Sequence, residues 1–318
     1  MVNVDFHTHT TCSDGNLDFA AVINFAKNIG LELIAISDHD SYRAWDMKRY
    51  EREKTRVWDD IYGGLQERHE SEPGKLFSGD LVIDKAVEFT SWHKNREFDI
   101  QAHFVEAADL ENQFGDHFEK MKAARILRAQ DTVAALNKNG YRITWDWVSQ
   151  EAGRYADGIH SAHLAKALIK ANQKIFSGAG VKEIITNILP MHRKPLREYY
   201  SLPGADDFVK GIRNIAGIPV IAHFDDYESL DLDETIAHFM QCTDGLLGVE
   251  ISNRNYTESA QKELEDRIRK QGALVFRGSD FHGTGHYLRE ELGVEMGKDD
   301  FDKILSIYDS IKGIEVRG

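Results

Sequence analysis

Six short apolar runs in this chain each give way, within a few positions, to histidine or acidic side chains, and no other feature narrows the possible folds as much. Val2–Phe6 leads into His7-Thr8-His9, with Asp14 just beyond. Leu33–Ser37 leads into Asp38-His39-Asp40. Leu81–Phe89 contains Glu88, and Phe98–Val105 contains His103. Pro219–Ala222 delivers His223, and Ala273–Arg277 delivers Asp280 and His282 within Gly278-Ser279-Asp280-Phe281-His282-Gly283. Runs this short and this apolar suit strands buried on both faces. Another run, Gly245–Ile251, has the same character. Helical patterns separate them: Asp18–Ile29, stopped by Gly30, and Ser259–Lys270. Strands alternating with helices predict a mainly parallel α/β sheet, closed or open. In a parallel barrel the active site forms where the strands end.

The chemistry of those ends is consistent. Side chains two apart on a strand share a face, so His7 and His9 can reach one ion. A single catalytic zinc takes about three protein ligands and a water. Nine candidates (His7, His9, Asp14, His39, Glu88, His103, His223, Asp280 and His282) suit two or three divalent ions sharing a bridging carboxylate. A histidine ending a strand is commonly just a hydrogen-bonded residue, and His103 taken alone reads that way. Asp38 and Asp40 read as residues that orient His39, since ligating histidines usually need such a partner. His93, His117 and His286 read as surface residues.

Charge divides the chain. It has 318 residues and a formal net charge of −14, from 39 basic and 53 acidic residues, which argues against nonspecific nucleic-acid binding. Residues 120–200 nevertheless carry 14 Lys and Arg against 6 Asp and Glu, so one basic segment sits in an acidic scaffold and suits an anionic ligand. It reads as mostly helical: Phe118–Asn139, Ser161–Ala171 with Ser161 as cap, and Val181–Leu189. Arg125 and Arg128 share a helix face, and guanidinium groups can grip phosphate in bidentate fashion. Arg193 and Lys194 are further candidates on a loop. Trp92 reads first as packing. Tyr42–Gly74 reads as a polar surface helix and loop.

The ordered set "HTHTTCSDG", "SDHD", "EFT", "AHF" and "GSDFHG" resembles the polymerase-and-histidinol-phosphatase (PHP) family of metal-dependent phosphoesterases across the whole chain. "KAARILRAQ" followed by "IHSAHLAKAL" is similar to the helical insertion of the branch containing nucleotide phosphatases and a 5′-end-trimming ribonuclease. The resemblance implies a distorted (β/α)7 TIM-like barrel from residues 1–110 and 205–318, with residues 111–204 as a mostly helical insertion that caps the substrate. It implies that His7, His9, Glu88 and Asp280 hold one ion, that Glu88 bridges to a second completed by His103 and His223, and that Asp14, His39 and His282 hold a third. The ions would be Mn, Fe or Zn. Asp14, His39, Glu88 and His282 would be the catalytic set around a metal-bridging hydroxide. Arg125, Arg128, His163, Arg193 and Lys194 would bind substrate. Two departures stand out: residues 45–78 are an elaboration without a place in the pattern, and "AHF" replaces the usual His-Pro.

The implied activity is hydrolysis of a nucleotide phosphate monoester, AMP or a nucleoside 3′,5′-bisphosphate. Alternatives are 5′–3′ exoribonuclease action on short RNA ends and a phosphatase of another metabolite such as histidinol phosphate. An amidohydrolase also begins with His-x-His on a barrel strand but wants a bridging lysine, and no strand end offers one. A scaffold without activity would have lost ligands. Two cysteines, Cys12 and Cys242, and the lack of a long apolar run predict a reducing, cytoplasmic setting with no membrane and no obligate protein partner.

Overall fold

The computed structural model describes residues 1–45, 75–227, 230–252, 257–285 and 289–313. Most of the 45–78 elaboration, and His286, lie outside them. Two five-stranded sheets run through the described residues. The first contains β1 (Val2–Asp5), β2 (Leu33–Ile36), β3 (Lys75–Ser78), β4 (Leu81–Lys85) and β10 (Val294–Met296), in the order β10-β1-β2-β4-β3. Within it β1, β2 and β4 are parallel. The second contains β5 (Val87–His93), β6 (Arg96–His103), β7 (Ile218–Ile221), β8 (Gly248–Ser252) and β9 (Leu274–Gly278), in chain order.

Two strand expectations change here. Leu81–Phe89 is not one strand: it breaks at Ala86, leaving β4 in one sheet and β5 in the other. The run around Phe98–Val105 runs against its neighbours, because β6 is antiparallel to both β5 and β7. The cause is local. Only Lys94 and Asn95 separate the strands, with φ of +44° and +67°, as a two-residue hairpin turn requires. A parallel return would need a crossover of roughly a dozen residues. His103 therefore pairs with Ile218 at the start of β7, while the Asp99 carbonyl accepts from Ala222 N beyond its end.

Backbone hydrogen bonds join the two sheets along two seams. Phe6 N donates to Arg277 O at 3.0 Å and His9 N to Phe281 O at 2.8 Å, tying the β1 extension to that of β9. Asp40 N donates to Glu88 O at 2.8 Å, tying the β2 extension to β5. Side chains from both sheets then meet in one core of Val4, Phe6, Leu33, Ala35, Val220 and Phe276, with Phe301, Ile304 and Tyr308 packed onto it. Phe6 and Phe276 meet edge to face at 4.8 Å, and each such buried aromatic contributes about 1.5–3 kcal/mol by burial.

Nine α-helices lie among the described residues. α1 (Phe19–Asn28) starts where expected, with the Asp18 side chain accepting from Ala21 N. α2 (Ala107–Lys138) begins eleven residues before the expected Phe118. Its early turns look polar, yet Leu110 and Phe114 recur at helical spacing and pack on the second sheet. α3 (Trp145–Ala152), α4 (Ser161–Ala171) and α5 (Val181–Asn187) share an apolar cluster with the end of α2 that includes Leu136, Val148, Leu164, Leu168 and Ile184. His160, not Ser161, is the cap of α4. α6 (Ala205–Asn214), α7 (Leu232–Cys242), α8 (Glu258–Lys270) and α9 (Lys298–Ile311) complete the set. No helix among the described residues is long and apolar enough to cross a membrane.

Candidate metal centre and its cavity

The β1 extension places His7 and His9 side by side with Nε2 atoms 3.0 Å apart. Glu88, fully buried on β5, lies at the centre. Its Oε2 is 3.2 Å from His7 Nε2, 3.4 Å from His9 Nε2 and 2.8 Å from His39 Nδ1, and its Oε1 is 3.1 Å from His223 Nε2. Asp280 Oδ1 lies 3.0 Å from His9 Nε2, and Asp14 Oδ1 lies 3.3 Å from His282 Nε2. Among the described residues, donor atoms within 4.8 Å of one another form three groups here: His7, His9 and Glu88; Glu88, Asp99 and His223; and His9, Asp14, His39 and His282.

Eight of the nine candidate ligands thus converge. His103 does not. Its Nδ1 meets Asp84 Oδ2 at 2.6 Å and its Nε2 meets Gln101 Oε1 at 2.9 Å, at the other end of the reversed strand. Asp99 occupies the place expected for it, with Oδ2 3.7 Å from His223 Nε2.

Donors at these distances suit divalent cations better than each other. Glu88 Oε2 and His39 Nδ1 are buried and close, yet neither makes a hydrogen bond of acceptable direction among the described residues. Imidazole nitrogens and carboxylate oxygens are the donor set of Mn, Fe and Zn sites. With the cluster itself as the only source of charge, protons take that role. Burial would lower the His7 pKa, but Glu250 and Glu88 outweigh it and push it up to about 10. His39, likewise buried, is raised to about 9 by Glu88 and Asp14. Burial and the neighbouring Glu88 carboxylate push Asp99 up to about 6.

The surroundings fix the ligands. Glu250 on β8, which the sequence reading passed over, accepts from His7 Nδ1 at 2.8 Å and from Gln101 Nε2 at 3.1 Å. Such a carboxylate sets the ligating tautomer of an imidazole. Asp5 accepts from His7 N, Ser279 N and Gly293 N, clamping β1 to the chain after β9. Asp38 does not orient His39: it takes Thr10 N, Thr10 Oγ1 and Ser13 Oγ at 2.6–2.8 Å and shapes the loop after His9. Asp40 turns to Arg125 and His117. His117 is accordingly buried, as is His93 at 9% exposure, and neither is the surface residue expected. Asp40, His223 and Asp280 adopt positive φ of 46°, 28° and 54°. Such strain in non-glycine residues clusters at functional sites.

A cavity of about 190 Å³ adjoins the cluster, lined by Asp14, His39, Asp99, Arg125, Arg128, His160 and Arg193 among others. Arg125 pairs with Asp40 and lies 3.2 Å from His160 Nδ1. Arg193 reaches Ser161. Arg128 is only 7% exposed and makes no ion pair within 4.0 Å among the described residues; burial, Arg125 and Arg193 together depress its pKa. Three crowded guanidinium groups, one of them without an ion pair among the described residues, suit an anion, although Glu97 also lines the cavity. Two expected substrate residues are elsewhere. His163 accepts from His160 N and lines a different surface hollow, and exposed Lys194 lies near Asp131 and Glu198. His160, three residues before His163, lines the cavity instead.

No model of a known protein family matches the chain. It is 23% identical over 281 residues to a phosphoribosyl 1,2-cyclic phosphate 1,2-diphosphodiesterase from Eggerthella lenta, covering 88% of this chain and 94% of that protein. Among solved structures it is similar to a protein assigned as a metal-dependent phosphoesterase from Bifidobacterium adolescentis (TM-score 0.70, 23% identity, 96% of each chain). It is also similar to an amidohydrolase from Chromobacterium violaceum with bound sulfate and no metal (TM-score 0.69, 19% identity, 96% of each chain). The chain thus shares the fold of these two structures, and its motifs resemble the PHP family.

Proposed function

We propose that the chain is a divalent-metal-dependent phosphatase of a mononucleotide, AMP or a nucleoside 3′,5′-bisphosphate. In this reading the two joined sheets are the distorted (β/α)7 barrel of that family, and residues 111–204 are its substrate cap. The observation that carries it is the position of Glu88, in reach of four imidazoles, beside a cavity lined by three arginines.

His7, His9, Glu88 and Asp280 would hold one cation, Glu88, Asp99 and His223 a second, and Asp14, His39 and His282 a third. Divalent cations held there supply an acidified water as nucleophile and neutralise phosphate charge. The chain's own side chains do the rest. Arg128 and its neighbours Arg125 and Arg193 grip phosphate oxygens from the side opposite the cluster, holding phosphorus for in-line attack. Asp14, His39 and Asp99 line both the cluster and the cavity, so the bound phosphate contacts the ligands of the second and third positions.

The cavity is smaller than the roughly 300–1,000 Å³ typical of drug-sized pockets. A volume of that size suits the phosphate group itself, whichever nucleotide carries it. The Eggerthella relative supports a second reading, in which a cyclic phosphate diester is opened by the same residues. One experiment separates these. Hydrolysis with Mn²⁺ is compared for AMP and a 3′,5′-bisphosphate, read as phosphate release, for a ribose 1,2-cyclic phosphate, read as the ring-opened monoester, and for a 5′-phosphorylated oligoribonucleotide, read as released mononucleotide, with ammonia release from amides alongside. The expected result is turnover of a mononucleotide well above all others. Inertness toward every phosphate ester would sink the proposal.

A further inference from the structure

A second cluster of metal donors lies well away from the phosphoesterase centre. His93 ends β5 at the tip of the β5–β6 hairpin, five residues and about 17 Å along the strand from Glu88. One ring nitrogen of His93, one of His238 on α7 and a carboxylate oxygen of Asp206 in the first turn of α6 lie within 4.8 Å of one another. His238 Nε2 and Asp206 Oδ1 are 2.8 Å apart. An ordinary surface ion pair would account for those two, but not for the third donor. His93 is 9% exposed, it packs against Phe98 and Phe239, and its Nε2 has no hydrogen-bond partner among the described residues.

Cys242 adds a fourth. It stands four residues after His238, on the same face of α7 and near the Asp206 carboxylate, outside the 4.8 Å group, so that a turn of its side chain would bring the thiol in. Two imidazoles, a carboxylate and a thiol are the donor types of a closed tetrahedral zinc site, in which donors sit about 3.4 Å apart given metal–ligand bonds of about 2.0–2.3 Å. The thiolate selects zinc over manganese and magnesium. Side-chain exposures of 44% for His238 and 39% for Asp206 leave the position open to ions from solution.

We propose that His93, Asp206, His238 and Cys242 bind a single zinc ion that staples the β5–β6 hairpin to α6 and α7. The ion would sit outside the reaction and pin the outer end of the strand that presents Glu88. On binding, the Cys242 Sγ–H proton is released to solvent, and His238 stays neutral with its one N–H on the nitrogen away from the ion, so that a thiolate and an imidazole lone pair meet the metal.

The test uses the intact protein, stripped by chelator and reloaded. Zinc content after desalting is expected to be one equivalent per chain higher in the wild type than in His238→Ala or Cys242→Ser, both part-exposed changes that leave the phosphoesterase rate unaltered. Reloading with Co²⁺ adds a readout blind to the His-and-carboxylate centre: a near-ultraviolet sulfur-to-metal charge-transfer band. It is expected in the wild type and in Cys12→Ser, and lost in Cys242→Ser and His238→Ala. A cobalt form without that band, or variants that bind as many equivalents as the wild type, overturns the proposal.

Discussion

Asp99 and His103 stand four positions apart on β6, so their side chains share a face, yet about 13 Å of strand separates them. Only Asp99 is level with His223, and the two residues should respond to mutation in opposite ways. Asp99→Ala is expected to lower metal content and cut kcat, with little change in thermal stability. His103→Ala is expected to retain its ions while losing about 3–5 kcal/mol of stability, because it leaves the fully buried Asp84 carboxylate with the Phe104 N–H but no imidazole to compensate its charge. Metal analysis and thermal melts on both variants decide the matter; a loss of ions in His103→Ala would return that residue to the centre. Arg128 gives a second contrast. A hydrogen bond to a charged group contributes about 1.5–3 kcal/mol, so Arg128→Ala should raise KM roughly 10- to 100-fold, whereas Lys194→Ala, at 59% exposure and already near two carboxylates, should leave it unchanged. Equal effects from the two would remove the cavity from substrate binding.

Among the elements, the strand ends were legible because apolar runs are short, and because His and acid residues at their ends are conspicuous. His7, His9, His39, Glu88, His223, Asp280 and His282 were found that way, and all seven converge. Strand direction was not legible. The reversal of β6 depends on the Lys94-Asn95 turn, whose positive φ values no residue pattern around it advertised, and Asp99 was hidden with it. Glu250 was passed over because it sits inside an apolar run, although a lone acid there must find a buried partner. Close approach of elements was equally invisible. A Cβ on Gly278 of β9 would lie 2.5 Å from His7 Cβ and 2.9 Å from Glu250 Oε1. Gly278→Ala should therefore push β1 from β9, costing about 1–3 kcal/mol as other overpacked sites do, and it should lower metal affinity as His7 moves. A melt and a metal titration check this. An unchanged affinity would mean that the seam between β1 and β9 does not set the ligand geometry.

At the scale of the whole molecule, the proposed function divides the net charge of −14 and the basic run within residues 120–200 between two jobs: carboxylates gathered for cations, and guanidinium groups for the anion. Their coupling has a pH signature. In the ion-free chain His7 and His39 keep their protons to about 10 and about 9, held by Glu250, Glu88 and Asp14 against burial. Both values are raised above the ordinary 6.5. The stability these charged pairs contribute is therefore fully present below about pH 6.5 and is lost as pH climbs through 9 and 10. Ligation demands neutral imidazoles, so loading ions near pH 7.5 must expel about two protons from this pair. The chelated protein is expected to lose thermal stability steadily between pH 7 and 10, while the metal-loaded protein, whose carboxylates are compensated by cations, holds its Tm across that window. Calorimetric titration in buffers of different ionisation enthalpy measures the protons directly. Binding that releases none, together with parallel melting curves for the two forms, would mean that the imidazoles at the strand ends are already neutral and that the carboxylates hold one another by some other means.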